Sequence, residues 1–219
     1  MKKFLLSFFI IAGFAVVAHA QDDKYSAAMK PKVVAVDTTR SAPDLLALSA
    51  SFERIADAEK TKWLPYYYAA YTEAYAGLMS MGQKPDITKT DPMADKAEVL
   101  INKADALNPN NSEVYIVKKM IANLRMMADP MNRYMTYGPK GEEALQTAVK
   151  LNPENPRVYL LQGQDKFYTP EQFGGSKTEA LKLFQMADTK FGSYKPATSL
   201  DPDWGRGQVK YFMAQAKGA

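Results

Sequence analysis

Leu107-Asn108-Pro109-Asn110-Asn111-Ser112-Glu113-Val114-Tyr115 recurs later in the chain as Leu151-Asn152-Pro153-Glu154-Asn155-Pro156-Arg157-Val158-Tyr159. Both copies follow the pattern L-N-P-x-N-x-x-V-Y, and two aliphatic residues come next in each. The pattern indicates that a helix ends at Leu-Asn, that proline stops it, and that a new apolar helix begins. A degraded third copy is Leu200-Asp201-Pro202-Asp203-Trp204. The chain therefore contains an internal repeat.

The helix before each proline also repeats. A small, a large and a small residue stand at i, i+4 and i+7, which places them on one helix face. Small residues let a neighbouring helix approach closely, and the large residue fills the space between them. The three sets are Ala97, Ile101 and Ala104; Gly141, Leu145 and Ala148; and Ala180, Phe184 and Ala187.

Helical apolar spacing runs from about residue 41 to the end of the chain, and strand-like alternation is hard to find. The sequence predicts an all-α domain over 41–219 with about eight helices in antiparallel pairs, beginning at a capping box of Ser41 and Asp44. Residues 21–40 are polar and mixed, and they predict a flexible lead-in. The predicted helices span 43–60, 62–81, 92–107, 111–128, 140–151, 156–168, 177–191 and 203–217.

With these helices, the chain resembles the tetratricopeptide repeat (TPR) family. Tyr115 and Tyr159 match the aromatic position of its first helix, Gly163 matches the glycine, and Trp63 marks an earlier copy. The resemblance implies a short α-solenoid of stacked helix pairs. The copies are longer than a standard repeat, and the excess falls in predicted turns at 82–92, 129–140 and 169–175. The segment 170–175 also resembles the helical T component of periplasmic TRAP transport systems.

In the TPR family, the first helix of each pair lines a binding groove. The resemblance carries the groove positions onto this chain as Tyr68, Tyr71, Met120, Asn123, Gln164 and Phe167. This mixture of apolar and polar side chains suits a binding surface. Tyr68 and Tyr71 belong to a dense aromatic run that core packing would explain equally well.

The N-terminus predicts a signal peptide. Lys2 and Lys3 precede an apolar run that is too short to span a bilayer, and Ala18-His19-Ala20 offers a cleavage site after Ala20. No later stretch is apolar enough to insert into a membrane. We therefore expect residues 1–20 to be removed and the mature protein to be periplasmic or secreted.

The predicted export limits the catalytic sites that the mature protein can contain. His19 is the only histidine and the chain has no cysteine, so the mature protein lacks both residue types. Without them, Cys/His zinc sites, haem or iron–sulfur ligation by Cys or His, and nucleophile–histidine pairs are excluded. The formal net charge of +4 falls to about +2 once Lys2 and Lys3 leave, which is too balanced to indicate a nucleic-acid partner.

Two further motifs each allow a functional and a purely structural interpretation. Phe173-Gly174-Gly175-Ser176 could form an anion nest, but Ser176 with Glu179 is also a capping box. Met126, Met127, Met131 and Met135 could bind copper(I), but flexible thioethers also fill gaps in cores. We expect no metal site and no cofactor.

The sequence thus predicts an exported, non-catalytic binding or scaffold module whose groove holds a protein, a peptide or a small ligand. Two alternatives stay open. One is a periplasmic component that binds or delivers a ligand for a transport system. The other is a helical hydrolase that works without metal, His or Cys.

Overall fold

The computed structural model describes residues 22–82 and 86–218. Within these ranges all the regular secondary structure is helical and there are no strands, as predicted. The helices are α1 over 22–36, α2 (Ala42–Ala58), α3 (Trp63–Ser80), α4 (Ile87–Leu107), α5 (Ser112–Ala128), α6 (Pro130–Leu151), α7 (Pro156–Tyr168), α8 (Lys177–Ser193) and α9 (Arg206–Lys217). A short 3₁₀ turn covers Glu171–Phe173. The predicted signal peptide lies outside the described residues.

The helices stack in pairs, as expected. Packing is most extensive between neighbours in the chain, such as α2 with α3, α5 with α6, and α7 with α8. Helices α3, α5, α7 and α9 also contact one another in that order and form one layer. The three small-large-small faces are buried between the pairs, with Ile101, Leu145 and Phe184 as their large members.

The repeat motif sets the helix ends through its asparagines. Asn111 accepts a hydrogen bond from the backbone N–H of Glu113 (2.9 Å) and caps α5. Asn155 accepts one from the N–H of Arg157 (3.0 Å) and caps α7 in the same way. Each cap satisfies an N–H that the first helical turn leaves unpaired. The fifth position of the motif is therefore asparagine because it is the N-cap.

Two predicted turns are largely helical. Helix α4 begins at Ile87, where Asp86 caps it by accepting from Thr88 N–H (3.0 Å), and α6 begins at Pro130. Pro92 and Pro139 lie inside these helices, although proline removes an N–H and usually ends a helix. The helix starts predicted at 92 and 140 are therefore too late, because each was placed at or just after a proline that the helix in fact contains.

The expectation of a flexible lead-in also differs from the structure, because residues 22–36 form α1. Tyr25, Met29 and Val36 are buried in the main core and share one helix face. The helix is held at both ends: Lys62 pairs with Asp22 (3.0 Å), and Asp37 accepts a hydrogen bond from Gly205 N–H (3.1 Å). Pro31 and the polar outer face concealed this helix in the sequence.

A buried ion pair joins the repeat copies at the centre of the fold. The guanidinium of Arg157 on α7 is fully buried, and its Nε and Nη2 atoms donate to the carboxylate of Glu113 on α5 at 2.8–3.0 Å. The remaining donors of Arg157 reach the carbonyl oxygens of Pro202 (2.8 Å) and Trp204 (3.0 Å). Tyr67 on α3 donates to Glu113 (2.9 Å) and accepts from the Trp204 indole (2.9 Å). This network, which we call the central network, ties α3, α5 and α7 to the segment before α9, residues 194–205. These three are the first helices of the pairs α3–α4, α5–α6 and α7–α8.

We expect Arg157→Met to lower the free energy of unfolding by about 3–5 kcal/mol, because it leaves the Glu113 carboxylate buried without its partner. Urea denaturation followed by circular dichroism would measure the loss. Lys190→Met is the matched control, since it removes a cation whose partner carboxylate, Glu154, is 74% exposed, and its effect should be far smaller. Equal effects would contradict a central role for the Arg157 pair.

Gly163 offers a second test of the packing between α7 and α8. A methyl group at this position would overlap the Phe184 ring, so Gly163→Ala should cost about 1–3 kcal/mol of unfolding free energy. Gly192→Ala is the control, because nothing lies within 4 Å of the added methyl group and the helix gains a better helix former. Thermal unfolding of both variants would separate them, and a Gly163→Ala protein as stable as the parent would refute this packing.

Candidate functional site

The first helices form the surface where the sequence placed a groove, but part of that surface is covered. The segment before α9 lies on α3: the Tyr68 hydroxyl donates to the Leu200 carbonyl (2.8 Å), and the Tyr71 ring stacks on Trp204 with centroids 4.1 Å apart. Each tyrosine is only 1% exposed. Tyr68 and Tyr71 therefore belong to the core and not to an open groove.

The other four predicted groove residues differ in how far they are buried. Met120 is buried, whereas Asn123, Gln164 and Phe167 are half-buried. Asn123 sits beside Asp165 of α7, with a long hydrogen bond of 3.4 Å. Of the predicted set, Phe167 alone joins an aromatic cluster at the surface.

That cluster lies at the C-terminal ends of α3 and α7 and against α9. The Phe212 ring is its centre, with the rings of Phe167 at 5.6 Å and Tyr168 at 5.8 Å, both edge-on. Tyr211 also packs its ring edge-on against Phe212, at 5.3 Å. Tyr168 and Tyr211 are each 59% exposed, so a large part of each residue faces solvent.

Tyr75 completes this group on the α3 side. Burial raises the pKa of Tyr168, and Tyr211 and Tyr75 are close enough to raise it further. Tyr75 itself stacks on Tyr71 at 5.7 Å. We call Tyr75, Tyr168 and Tyr211, with Phe167 and Phe212 beneath them, the tyrosine cluster.

One cation stands beside the tyrosine cluster. Burial raises the pKa of Tyr75, while the nearby guanidinium of Arg40 acts to lower it and Asp37 to raise it. Arg40 is exposed and donates to the backbone carbonyl oxygens of Asp37 (2.6 Å) and Thr39 (3.1 Å). It is therefore fixed near the phenols while keeping its charge in solvent.

Adjacent aromatic pairs were the signal that could have revealed this cluster. Phe167-Tyr168 on α7 and Tyr211-Phe212 on α9 each place two rings on neighbouring helix positions. Neighbours on a helix point in different directions, so one ring can enter the core while the other stays outside. Tyr168 and Tyr211 do not occupy the positions that the family resemblance implies, so the predicted groove does not include them.

The structure also bears on the predicted capping box, the methionine group and the possibility of a metal site or a membrane span. Ser176 caps α8 by accepting from Glu179 N–H (3.2 Å), as the capping-box alternative predicted. Met131 and Met135 are strongly exposed on the first turns of α6. Among the described residues, no group of three or more His, Cys, Asp or Glu side chains could hold a metal ion, and no helix has the length and apolarity to cross a membrane.

No protein-family model matches the sequence, and no curated protein matches it. The solved structures include a match to the HusA haemophore from Porphyromonas gingivalis, with a TM-score of 0.77 and 31% sequence identity. The alignment covers 89% of this chain and 93% of that protein. These comparisons do not confirm the TPR resemblance or the likeness to the TRAP component.

The division between core and surface can be tested by stability. Tyr68→Ala and Tyr71→Ala should each lower the free energy of unfolding by about 3–5 kcal/mol, because a buried ring leaves a cavity. Tyr211→Ala should change it little, since that ring is largely exposed. Urea denaturation would measure all three. Unchanged stability of the Tyr68 and Tyr71 variants would contradict their place in the core and favour the open groove.

Proposed function

Because this chain belongs to the family of the HusA haemophore, we propose that it is an exported haem-binding protein that carries haem as cargo. The observation that carries the proposal is the tyrosine cluster: three phenols at one end of the first-helix layer, two of them largely exposed. The proposal narrows the expected binding partner from a protein, a peptide or a small ligand to one small ligand. It also favours delivery of a ligand across the cell envelope over a scaffold for peptides.

The residue types available suit haem with a tyrosine ligand. The described residues contain neither His nor Cys, so the usual imidazole and thiolate ligands are missing. Tyrosine is an established haem ligand, and its phenolate oxygen prefers ferric iron. Tyr168 is the best candidate for this role, because it packs against Phe212 at the centre of the cluster and its side chain is largely exposed.

Side chains around the phenols offer contacts to the porphyrin ring and to a propionate of the haem molecule. The exposed ring of Tyr211 and the half-buried ring of Phe167, both packed edge-on against Phe212, offer apolar surface against which a flat porphyrin can lie. Arg40 offers a guanidinium to a propionate carboxylate, an arrangement that forms charge-assisted hydrogen bonds. The cluster is open to solvent, so a bound haem would stay accessible to a receiving protein, as a carrier requires.

Haem titration of the mature chain tests the proposal directly. Ferric haem should bind with one-to-one stoichiometry and shift the Soret band, and Tyr168→Phe should weaken binding by about tenfold or more by removing the iron ligand. Tyr75→Phe and Tyr211→Phe would show whether a neighbouring phenol substitutes for it. Tyr134→Phe is the matched control, because Tyr134 is exposed on α6, outside the tyrosine cluster. Unaltered binding by the triple Phe variant would overturn tyrosine ligation, and no binding by the parent protein would overturn the function.

The pH dependence supplies an independent check. Burial and the neighbouring phenols raise the pKa of Tyr168, so the free protein holds its proton at neutral pH. Ligation to ferric iron as phenolate must release that proton, and affinity should therefore rise by about tenfold per pH unit until Tyr168 ionises. Metal-free protoporphyrin needs no phenolate, so its affinity should lack this dependence. Equal pH profiles for the two porphyrins would contradict the ligand assignment.

A further inference from the structure

A second concave site lies at the opposite end of the same helices. It is an open pocket of about 320 Å³ at the N-terminal ends of α3, α5 and α7. Trp63 and Tyr194 contribute aromatic rings to its lining, and the repeat motif contributes asparagines from both copies. Along α3, Trp63 is about 18 Å from Tyr75 of the tyrosine cluster, at the rise of an α-helix. The two sites are therefore separate.

The asparagines of the repeat leave hydrogen-bonding groups free in this pocket. Asn111 and Asn152 use their side-chain oxygens on the N–H groups of Glu113 and Glu154, which leaves their amide NH₂ groups available. In the part of the chain that the structure describes, the side chains of Asn108 and Asn110 make no hydrogen bond at all. Each free amide can both donate and accept. The pocket thus offers several donors and acceptors that already have fixed positions in the fold.

The two aromatic rings are held in place from behind. Trp63 packs edge-on against Tyr67, with centroids 5.5 Å apart. Tyr194 donates its hydroxyl to the Pro202 carbonyl (3.0 Å), and the Arg157 guanidinium lies 4.8 Å from its ring. The central network therefore fixes one side of the pocket, so its shape is set before any ligand arrives.

The charged side chains of the pocket disfavour anionic ligands. No lysine or arginine is among its described lining residues, whereas the carboxylates of Glu113 and Asp201 are. Arg157 is fully buried beneath and neutralises Glu113 without reaching the pocket. A phosphate or carboxylate would meet acidic groups without a compensating cation, and a purely apolar ligand would leave the amides unpaired.

We infer that this pocket binds neutral carbohydrate, one hexose-sized ring stacked on Trp63 or Tyr194 with its hydroxyls bonded to the asparagine amides. Sugar rings have apolar faces that suit aromatic side chains and hydroxyls that both donate and accept hydrogen bonds. The volume suits a single ring, which is at the lower end of ligand pockets. This site is independent of haem binding.

Nuclear magnetic resonance of the ¹⁵N-labelled mature chain tests the inference with four probes: glucose, galactose, mannose and N-acetylglucosamine. At least one should shift the signals of Asn108, Asn110, Asn111 and Asn152 with a dissociation constant of about 1–10 mM. Glucuronic acid, an anionic hexose, should bind at least about tenfold more weakly than glucose.

Two variants remove pocket amides with little risk to the fold. Asn110 has a positive φ of 59°, so Asn110→Gly keeps the backbone conformation while deleting the amide. Asn108→Ala removes the second unpaired amide at an extended φ of −143°. Together they should weaken sugar binding by about tenfold and leave haem binding unchanged. Gln146→Ala, on the exposed face of α6, is the matched control and should have no effect.

Several results would overturn the inference. No localised shifts with any of the four sugars at about 100 mM would do so, because the site would then have no useful affinity. Shifts that persist in the Asn108→Ala, Asn110→Gly double variant, or stronger binding of glucuronic acid than of glucose, would also do so. Haem titration of the same samples reports on the tyrosine cluster separately.

Discussion

The buried ion pair between Arg157 and Glu113 is the interaction on which the rest of the structure depends. Burying both charges is costly, and the cost is offset only where every donor and acceptor is satisfied. Here all the nitrogen atoms of the Arg157 guanidinium have acceptors, and Glu113 also accepts from Asn155 (2.7 Å) and Tyr67 (2.9 Å). Hydrophobic contacts tolerate small shifts between helices, but this set of hydrogen bonds is satisfied in one arrangement. It therefore fixes how α3, α5 and α7 align.

The same pair determines which parts of the first-helix layer remain open. The two carbonyl groups that Arg157 reaches belong to the segment before α9, and that segment covers Tyr68 and Tyr71. A groove along the full length of α3 is thereby closed in its middle. Among the described residues, an exposed cluster stays open at the C-terminal ends of these helices and a polar pocket at their N-terminal ends. The two proposed ligand sites thus lie on opposite sides of the segment that the central network holds in place.

Much of the fold follows from the sequence because its signals are local. Proline, the capping asparagines and the small-large-small faces each act within one or two turns, so the helix pairs and most of their ends could be predicted. The ion pair could not be, although its two residues occupy the same variable position of the repeat, Glu113 in one copy and Arg157 in the next. A pattern search discards variable positions, whereas complementary charges between adjacent repeats must vary. The groove was placed wrongly on α3 for a related reason. Whether Tyr71 lies in the core or at the surface depends on its contact with Trp204, which is distant in the chain.

The contact between the segment before α9 and helix α3 also bears on how the chain acquires its structure. In an open solenoid each repeat contacts only its neighbours, and folding can propagate from any point. Here the hydrogen bonds from Tyr68 to Leu200 and from Trp204 to Tyr67 join residues separated by 132 and 137 positions. Such long loops are slow to close, and Arg157 lacks two of its acceptors until they do. The last part of the chain to be synthesised thus completes the core of the first part. The export proposed for this chain would benefit from this order, because a chain that cannot finish folding early stays extended enough for translocation.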